Sequence, residues 1–315
     1  MKLACDLPRF MELHTFQTTN KIIMSHLKRL LTIFAVIPVI IIGCADDPNT
    51  TTSENGEKLL PDPGLVSYTF RHQFEEDVPA TLDFIKEMGV TNMEFSSLFG
   101  KTAEELRRLL DERGMVCTSY GVGLDDLLHD VDRVAEEAKT LGAKHVRVAW
   151  YPHEAPFDIE DARRAVDHFN QVGRSLHERD LTFSYHNHGY EFAEYQDGTY
   201  FDYIVQNTDP DYVSFQLDVF WTVWPGHDPV ELIKKYPDRF KTVHLKDLKK
   251  GVEGDLSGGA PNETMVVLGE GQVDLEALLR AAEDSDIEYF YLEDEVEDVK
   301  TSVPISYEYI TSLEK

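Results

Sequence analysis

From residue 65 to the C-terminus, short apolar runs rich in β-branched and aromatic residues alternate with amphipathic helical runs, and nothing else in the chain constrains its fold as strongly. The strand-like runs are 65–69, 92–95, 116–120, 145–150, 182–186, 213–218, 242–245 and 289–293. Helical spacing fills the intervals. The run from Thr102 has Glu105 three residues on, the pair that caps a helix N-terminus reciprocally. Residues 125–141 keep apolar positions at helical spacing and stop at Gly142, a residue suited to a left-handed C-terminal cap. Residues 158–179, 229–236 and 274–282 behave alike, and 304–313 predicts a closing helix. Strands alternating with helices call for a parallel sheet covered by helices. Eight such units in about 250 residues predict one closed (β/α)8 TIM barrel spanning 61–315. An open doubly wound sheet would carry a glycine-rich phosphate turn after its first strand, but Tyr68-Thr-Phe-Arg-His-Gln-Phe stands there instead.

The N-terminal part follows different rules. A basic stretch after Met24 is followed by an apolar run over 30–42 and then Gly43-Cys44. Basic start, short apolar core and small residue are the parts of an export signal, and the run is shorter than the roughly 20 residues of a membrane span. Ile41-Ile42-Gly43-Cys44 resembles a bacterial lipoprotein lipobox, which implies lipidation of Cys44, export, and membrane contact through that lipid only. Residues 1–44 are therefore expected to be signal, with Met24 as the start of translation. Residues 45–60, polar and without periodicity, are expected to be a disordered tether. With 30 basic and 58 acidic residues the chain carries a net charge of −28, which repels phosphate backbones and argues against a nucleic-acid partner. Its three cysteines do not form a disulfide framework.

Ligand-type residues collect where the predicted strands end. Glu94 lies in the second strand. His186, Asn187, His188 and Glu191 end the fifth, Asp218 and Trp221 the sixth, His244 and Lys246 the seventh, and Glu293 the eighth. A barrel brings these ends to one mouth. Imidazoles with carboxylates suit one divalent ion among Mn2+, Co2+, Zn2+, Fe2+ and Mg2+. Each residue also has a plain alternative: Asp218 as a helix cap, Lys246 as the partner of Asp247, Trp221 and Trp224 as core.

The strings Tyr185-His-Asn-His-Gly-Tyr-Glu-Phe, Gln216-Leu-Asp-Val-Phe-Trp, Val243-His-Leu-Lys-Asp and Leu268-Gly-Glu-Gly-Gln-Val-Asp resemble the sugar phosphate isomerase/epimerase branch of the xylose isomerase-like barrels. The resemblance implies metal ligands at Asp218, His244 and Glu293. His186 stands where many members carry a fourth, acidic ligand. That departure bears on epimerases, which move protons with two opposed acids. The implied activity is that of a divalent-metal-dependent sugar isomerase or epimerase, acting by proton abstraction next to a carbonyl of a free or keto-sugar. Glu293 or His188 acts as base, Lys246 donates to a developing oxyanion, and Glu94 is an extra acid. Trp221, Asn187 and Glu191 are expected to bind the carbohydrate. The same residues would serve a lyase on 3-keto-glycosides, and a non-catalytic sugar-binding lipoprotein is the remaining alternative.

Overall fold

A computed structural model describes residues 56–60 and 62–315; the signal, Met24, Cys44 and the tether up to residue 55 lie outside the described residues. Eight parallel strands close a barrel in sequence order: β1 (Gly64–Val66), β2 (Asn92–Phe95), β3 (Val116–Gly121), β4 (His145–Val148), β5 (Thr182–His186), β6 (Val213–Asp218), β7 (Phe240–Leu245) and β8 (Tyr289–Leu292). Closure is made by β1 against β8, with Gly64 beside Tyr291 and Leu65 beside Leu292. Most strand residues are buried, and along the strands apolar residues such as Met93, Phe95, Val146, Val148, Phe215 and Leu217 alternate with buried polar ones such as Glu94, Arg147, Gln216 and Asp218. The first strand is shorter than its apolar run, because residues 67–70 turn into a 3-10 segment.

The helices cap as the sequence indicates. Thr102 Oγ1 accepts from Glu105 N at 3.2 Å while the Glu105 carboxylate accepts from Thr102 N at 2.9 Å. Leu124–Leu141 ends on Gly142 at φ 89°, where a side chain would be strained. Four helices escape the sequence pattern: Arg71–Glu76; Val78–Glu87, capped by Asp77; Tyr200–Asn207, whose Thr199 and Asp202 form a capping box; and Val219–Val223. The closing helix begins at Val299, ahead of Pro304, and runs through the proline to Ser312 with Val303 and Ile310 buried.

Residues 56–60, the end of the expected tether, touch the chain's other terminus. Leu59 N donates to Leu313 O and Lys315 N to Glu57 O, at 3.0 and 2.9 Å. These contacts lie at the strand N-terminal end of the barrel, opposite the mouth. Among the described residues no helix is long and apolar enough to cross a membrane.

Candidate metal centre

Alternation along β6 turns Gln216 and Asp218 to the barrel interior, and register then decides their neighbours. Gln216 lies beside His186 of β5, and Asp218 beside His244 of β7. His186 Nε2 comes to 3.6 Å and His244 Nδ1 to 3.9 Å from Asp218 Oδ2. One ligand atom from each of the three residues lies within 4.8 Å of the others. All three side chains are buried.

Asp218 divides its two oxygens. Oδ1 caps the short helix Val219–Val223 by accepting from Trp221 N at 2.9 Å. Oδ2 is buried and has no hydrogen-bond partner. A stranded carboxylate oxygen is costly, and this one faces two imidazole nitrogens, so the donor set fits a divalent cation. Burial pushes the Asp218 carboxyl up to about 7 against the pull of Lys246.

Glu293, just beyond β8, adjoins the triad through a hydrogen bond with His244 Nδ1. Burial opposes its charge, but Lys246 and His244 hold it well below the usual carboxylate range. Burial likewise opposes charge on His244, and Glu94 with Glu293 outweighs it, raising the ring to about 9. Lys246 is buried, donates to Glu295 at 2.7 Å and lies 3.5 Å from Glu293 Oε1. Asp247 is not its partner. That carboxylate accepts from Gly269, Gly271 and Val273 N–H groups at 2.9–3.0 Å and folds the Leu268-Gly-Glu-Gly-Gln-Val segment around itself.

The triad's two histidines, Lys246 and Glu293 line a cavity of about 660 Å³, together with His188, Trp221 and Trp150. His188 packs 5.3 Å from Trp221 and 5.2 Å from Trp150, ring centre to ring centre. Burial and the Lys246 charge push His188 down to about 3, so its ring is neutral, and its Nδ1 has no partner. Trp224 stacks on Phe220 within a second apolar cluster and does not line the cavity.

Three expected site residues stand elsewhere. Glu94 lies beneath His244, accepting from His244 Nε2 at 2.9 Å, from Arg147 at 2.8 Å and from Gln216 at 2.8 Å, and it does not line the cavity. Asn187 clamps two strand ends: its side chain accepts from Asp218 N at 3.0 Å and donates to Asp218 O and Thr222 Oγ1 at 3.3 Å. Glu191 turns inward, accepting from the Tyr185 hydroxyl and from His188 N. The sugar contacts expected of Asn187 and Glu191 are thus not available to them, because their polar atoms are committed behind the wall.

Sequence reasoning passes over Arg147, Gln216, Trp150 and Glu295. Arg147 and Glu295 resemble ordinary charged residues until the strands pair, although Gln216 and Trp150 do stand at strand ends.

Residues 82–312 match the family described as xylose isomerase-like TIM barrel. Among curated proteins, an inosose dehydratase of Geobacillus kaustophilus is 28% identical over 195 residues, covering 54% of this chain and 62% of that protein. A second, from Bacillus cereus, is 26% identical and covers 58% and 64%. The chain thus spans under two thirds of these relatives' length. Among solved structures, a sugar phosphate isomerase/epimerase from Parabacteroides distasonis superposes with TM-score 0.66 at 21% identity, over 84% of this chain and 96% of that one. The IOLI protein with a bound zinc atom gives TM-score 0.62 at 16% identity, over 80% and 94%.

Proposed function

The chain belongs to the xylose isomerase-like TIM barrel family, and from that premise we propose that it is a divalent-metal-dependent enzyme that removes a proton next to the carbonyl of a keto-sugar and then expels a substituent from the neighbouring carbon. The observation that carries this is the stranded Asp218 Oδ2 facing the rings of His186 and His244, two histidines that line a cavity with an aromatic wall. His186, Asp218 and His244 hold the ion, with Glu293 beside them. Bound there, the ion supplies Lewis-acid polarisation of the carbonyl. The zinc of the structural neighbour and the dehydratase names of the curated relatives support the same reading.

The chain's own groups do the rest. Trp221 and Trp150 take the apolar face of the ring. Neutral His188 removes the proton from carbon, and the C–H pair becomes the new double bond. Lys246, whose ammonium lies beside Glu293 and Glu295, donates to the oxygen on which charge develops. The C–O bond at the neighbouring carbon breaks with its electron pair, and the departing oxygen takes the proton from His188. At about 660 Å³ the cavity lies within the roughly 300–1,000 Å³ of small-molecule sites and leaves space beyond one sugar ring for the departing group. Epimerisation would need an acid that returns a proton to the opposite face. The strand-five position offers His186, and Glu191 is turned away from the cavity.

The test has two stages. Metal is measured in the purified chain and in Asp218→Ala and His244→Ala variants. About one ion per chain, lost in both variants, is expected. Wild-type protein is then given 3-keto-glycosides in D2O. Release of the aglycone supports elimination. Deuterium incorporation without release makes the protein an epimerase or isomerase. Failure to retain Mn2+, Co2+ or Zn2+ overturns the metal reading and leaves a sugar-binding protein.

A further inference from the structure

Parallel pairing slips at two places among the described barrel strands, immediately before Glu94 on β2 and immediately before Gln216 on β6. Such irregularities re-aim the side chains beside them. Here they bring two residues from strands that are not neighbours to 2.8 Å. We propose that Glu94, acting through Gln216, fixes the tautomer of His186 and thereby decides whether Nε2, the ring nitrogen that meets Asp218, presents a lone pair or a hydrogen. Glu94 is a positioning residue, and its role deepens the metal-centre reading and rests on it.

The assignment follows from donor and acceptor rules alone. The Arg147 guanidinium can only donate, and its Nε and Nη2 reach Glu94 Oε1 at 3.1 and 2.8 Å. Glu94 is thereby held as a carboxylate, which can only accept. Its Oε2 faces the Gln216 amide, so that end of the amide must be Nε2, whose other hydrogen goes to Thr242 Oγ1 at 3.0 Å. Gln216 Oε1 is then left facing His186 Nδ1 at 2.9 Å. A carbonyl oxygen accepts only, so Nδ1 carries the hydrogen. Nε2 keeps its lone pair, 3.6 Å from the stranded Asp218 oxygen. One buried ion pair has thus been transmitted across β4, β2, β6 and β5 into the orientation of one imidazole lone pair. Glu94 and Gln216, the middle of the relay, have no exposed surface, so water does not compete for them, while Arg147 and His186 at its two ends line the cavity.

The relay can be inverted. In Glu94→Gln, the new amide keeps its oxygen toward the Arg147 and His244 donors and turns its NH2 toward Gln216. Gln216 must then reverse and present its own NH2 to His186. Nδ1 becomes the acceptor, and Nε2–H points at Asp218. In the double variant E94Q/Q216E, which has the charge of the wild type, the new carboxylate at position 216 accepts both from the amide at position 94 and from His186, and restores Nδ1–H.

The experiment uses histidine-15N-labelled protein, first with chelator and then titrated with Mn2+ or Zn2+ against a competing chelator. Two-bond 15N–1H correlations are expected to show His186 as Nδ1–H in wild type, Nε2–H in E94Q and Nδ1–H in the double variant. Ion affinity should fall about 10- to 100-fold in E94Q, as for other disrupted partners of metal-bound histidines, and recover to within a few-fold in the double variant. If E94Q does not fold, Gln216→Leu serves instead, and appearance of the Nε2–H form there supports the relay. Persistence of pure Nδ1–H in E94Q or Q216L overturns it, as does a double variant no better than E94Q. A wild type with the Nδ1–H form that takes up neither ion supports the relay while overturning the metal reading.

Discussion

Replacing Arg147 by methionine would strand a charge at the floor of the barrel. Glu94 has no exposed surface, and Arg147 is 7% exposed, so their ion pair is shielded from water and salt. Removing one partner of such a pair costs about 3–5 kcal/mol, chiefly because the other charge remains buried. His244 and the Gln216 amide still face Glu94, at 2.9 and 2.8 Å, which sets the expectation at the lower end, about 3 kcal/mol. Methionine fills most of the arginine stem's volume, so the packing loss stays small. At about 2–4 °C per kcal/mol for a domain of this size class, the melting temperature should fall by about 6–12 °C. The assay is thermal and urea unfolding at neutral pH with chelator present. The double variant R147M/E94Q removes the stranded charge and should regain at least half of the loss. A single variant within about 1 kcal/mol of wild type, or a double variant no more stable than the single, would refute the reasoning.

Three further expectations follow from buried or sequence-marked groups. Burial pushes Glu191 up to about 8 although the Tyr185 hydroxyl and His188 N–H point at it. Because this exceeds the ordinary 4.5, the folded chain keeps a proton that the unfolded chain has lost. The group's contribution to stability is therefore complete below about 4.5 and declines as pH rises through about 8. Glu191→Gln should be free of that decline, and a constant gap between the two urea midpoints from about pH 5 to 8.5 would contradict it. Burial also raises the Cys117 thiol to about 12, so Cys117, followed by peptide mapping apart from Cys5 and Cys44, should resist in the native chain a thiol reagent that labels it promptly in urea; equal labelling rates at Cys117 in the two conditions would count against it. Finally, we propose lipid attachment at Cys44: radiolabelled palmitate should enter the wild-type chain expressed in a bacterial host and not Cys44→Ala, and equal labelling would dismiss it.

The fold was largely legible because each strand keeps buried apolar residues at alternate positions, a signal that does not depend on its partners, between helical runs. Length does not separate the unread helices from the read ones, since Val78–Glu87 has 10 residues and Pro229–Lys235 has 7. His186, Asp218 and His244 were legible because ligand-type residues at successive strand ends meet at one mouth. What adjacency could not reveal was direction. Asn187 and Glu191 flank the histidines in sequence, but the turn after β5 sends them behind the wall. Glu94 looks like a catalytic acid in a short strand, and only the closed barrel shows that its carboxylate meets His244, Arg147 and Gln216 from three other strands. Gln216 opens one of the family-like strings, yet its importance lies in which end of its amide faces which neighbour, a property of four assembled strands.

The meeting of the two chain ends carries a practical consequence. Residues 57–59 and 313–315 are stitched together on the face opposite the cavity. A fusion partner, a surface linker or an immobilising tag attached at Gly56 or at Lys315 would therefore leave the entrance unobstructed. Joining Gly56 to Lys315 and reopening residues 56–315 in a loop on that same face should give a circular permutant whose cavity is unchanged, so the barrel can be rewired without disturbing its chemistry.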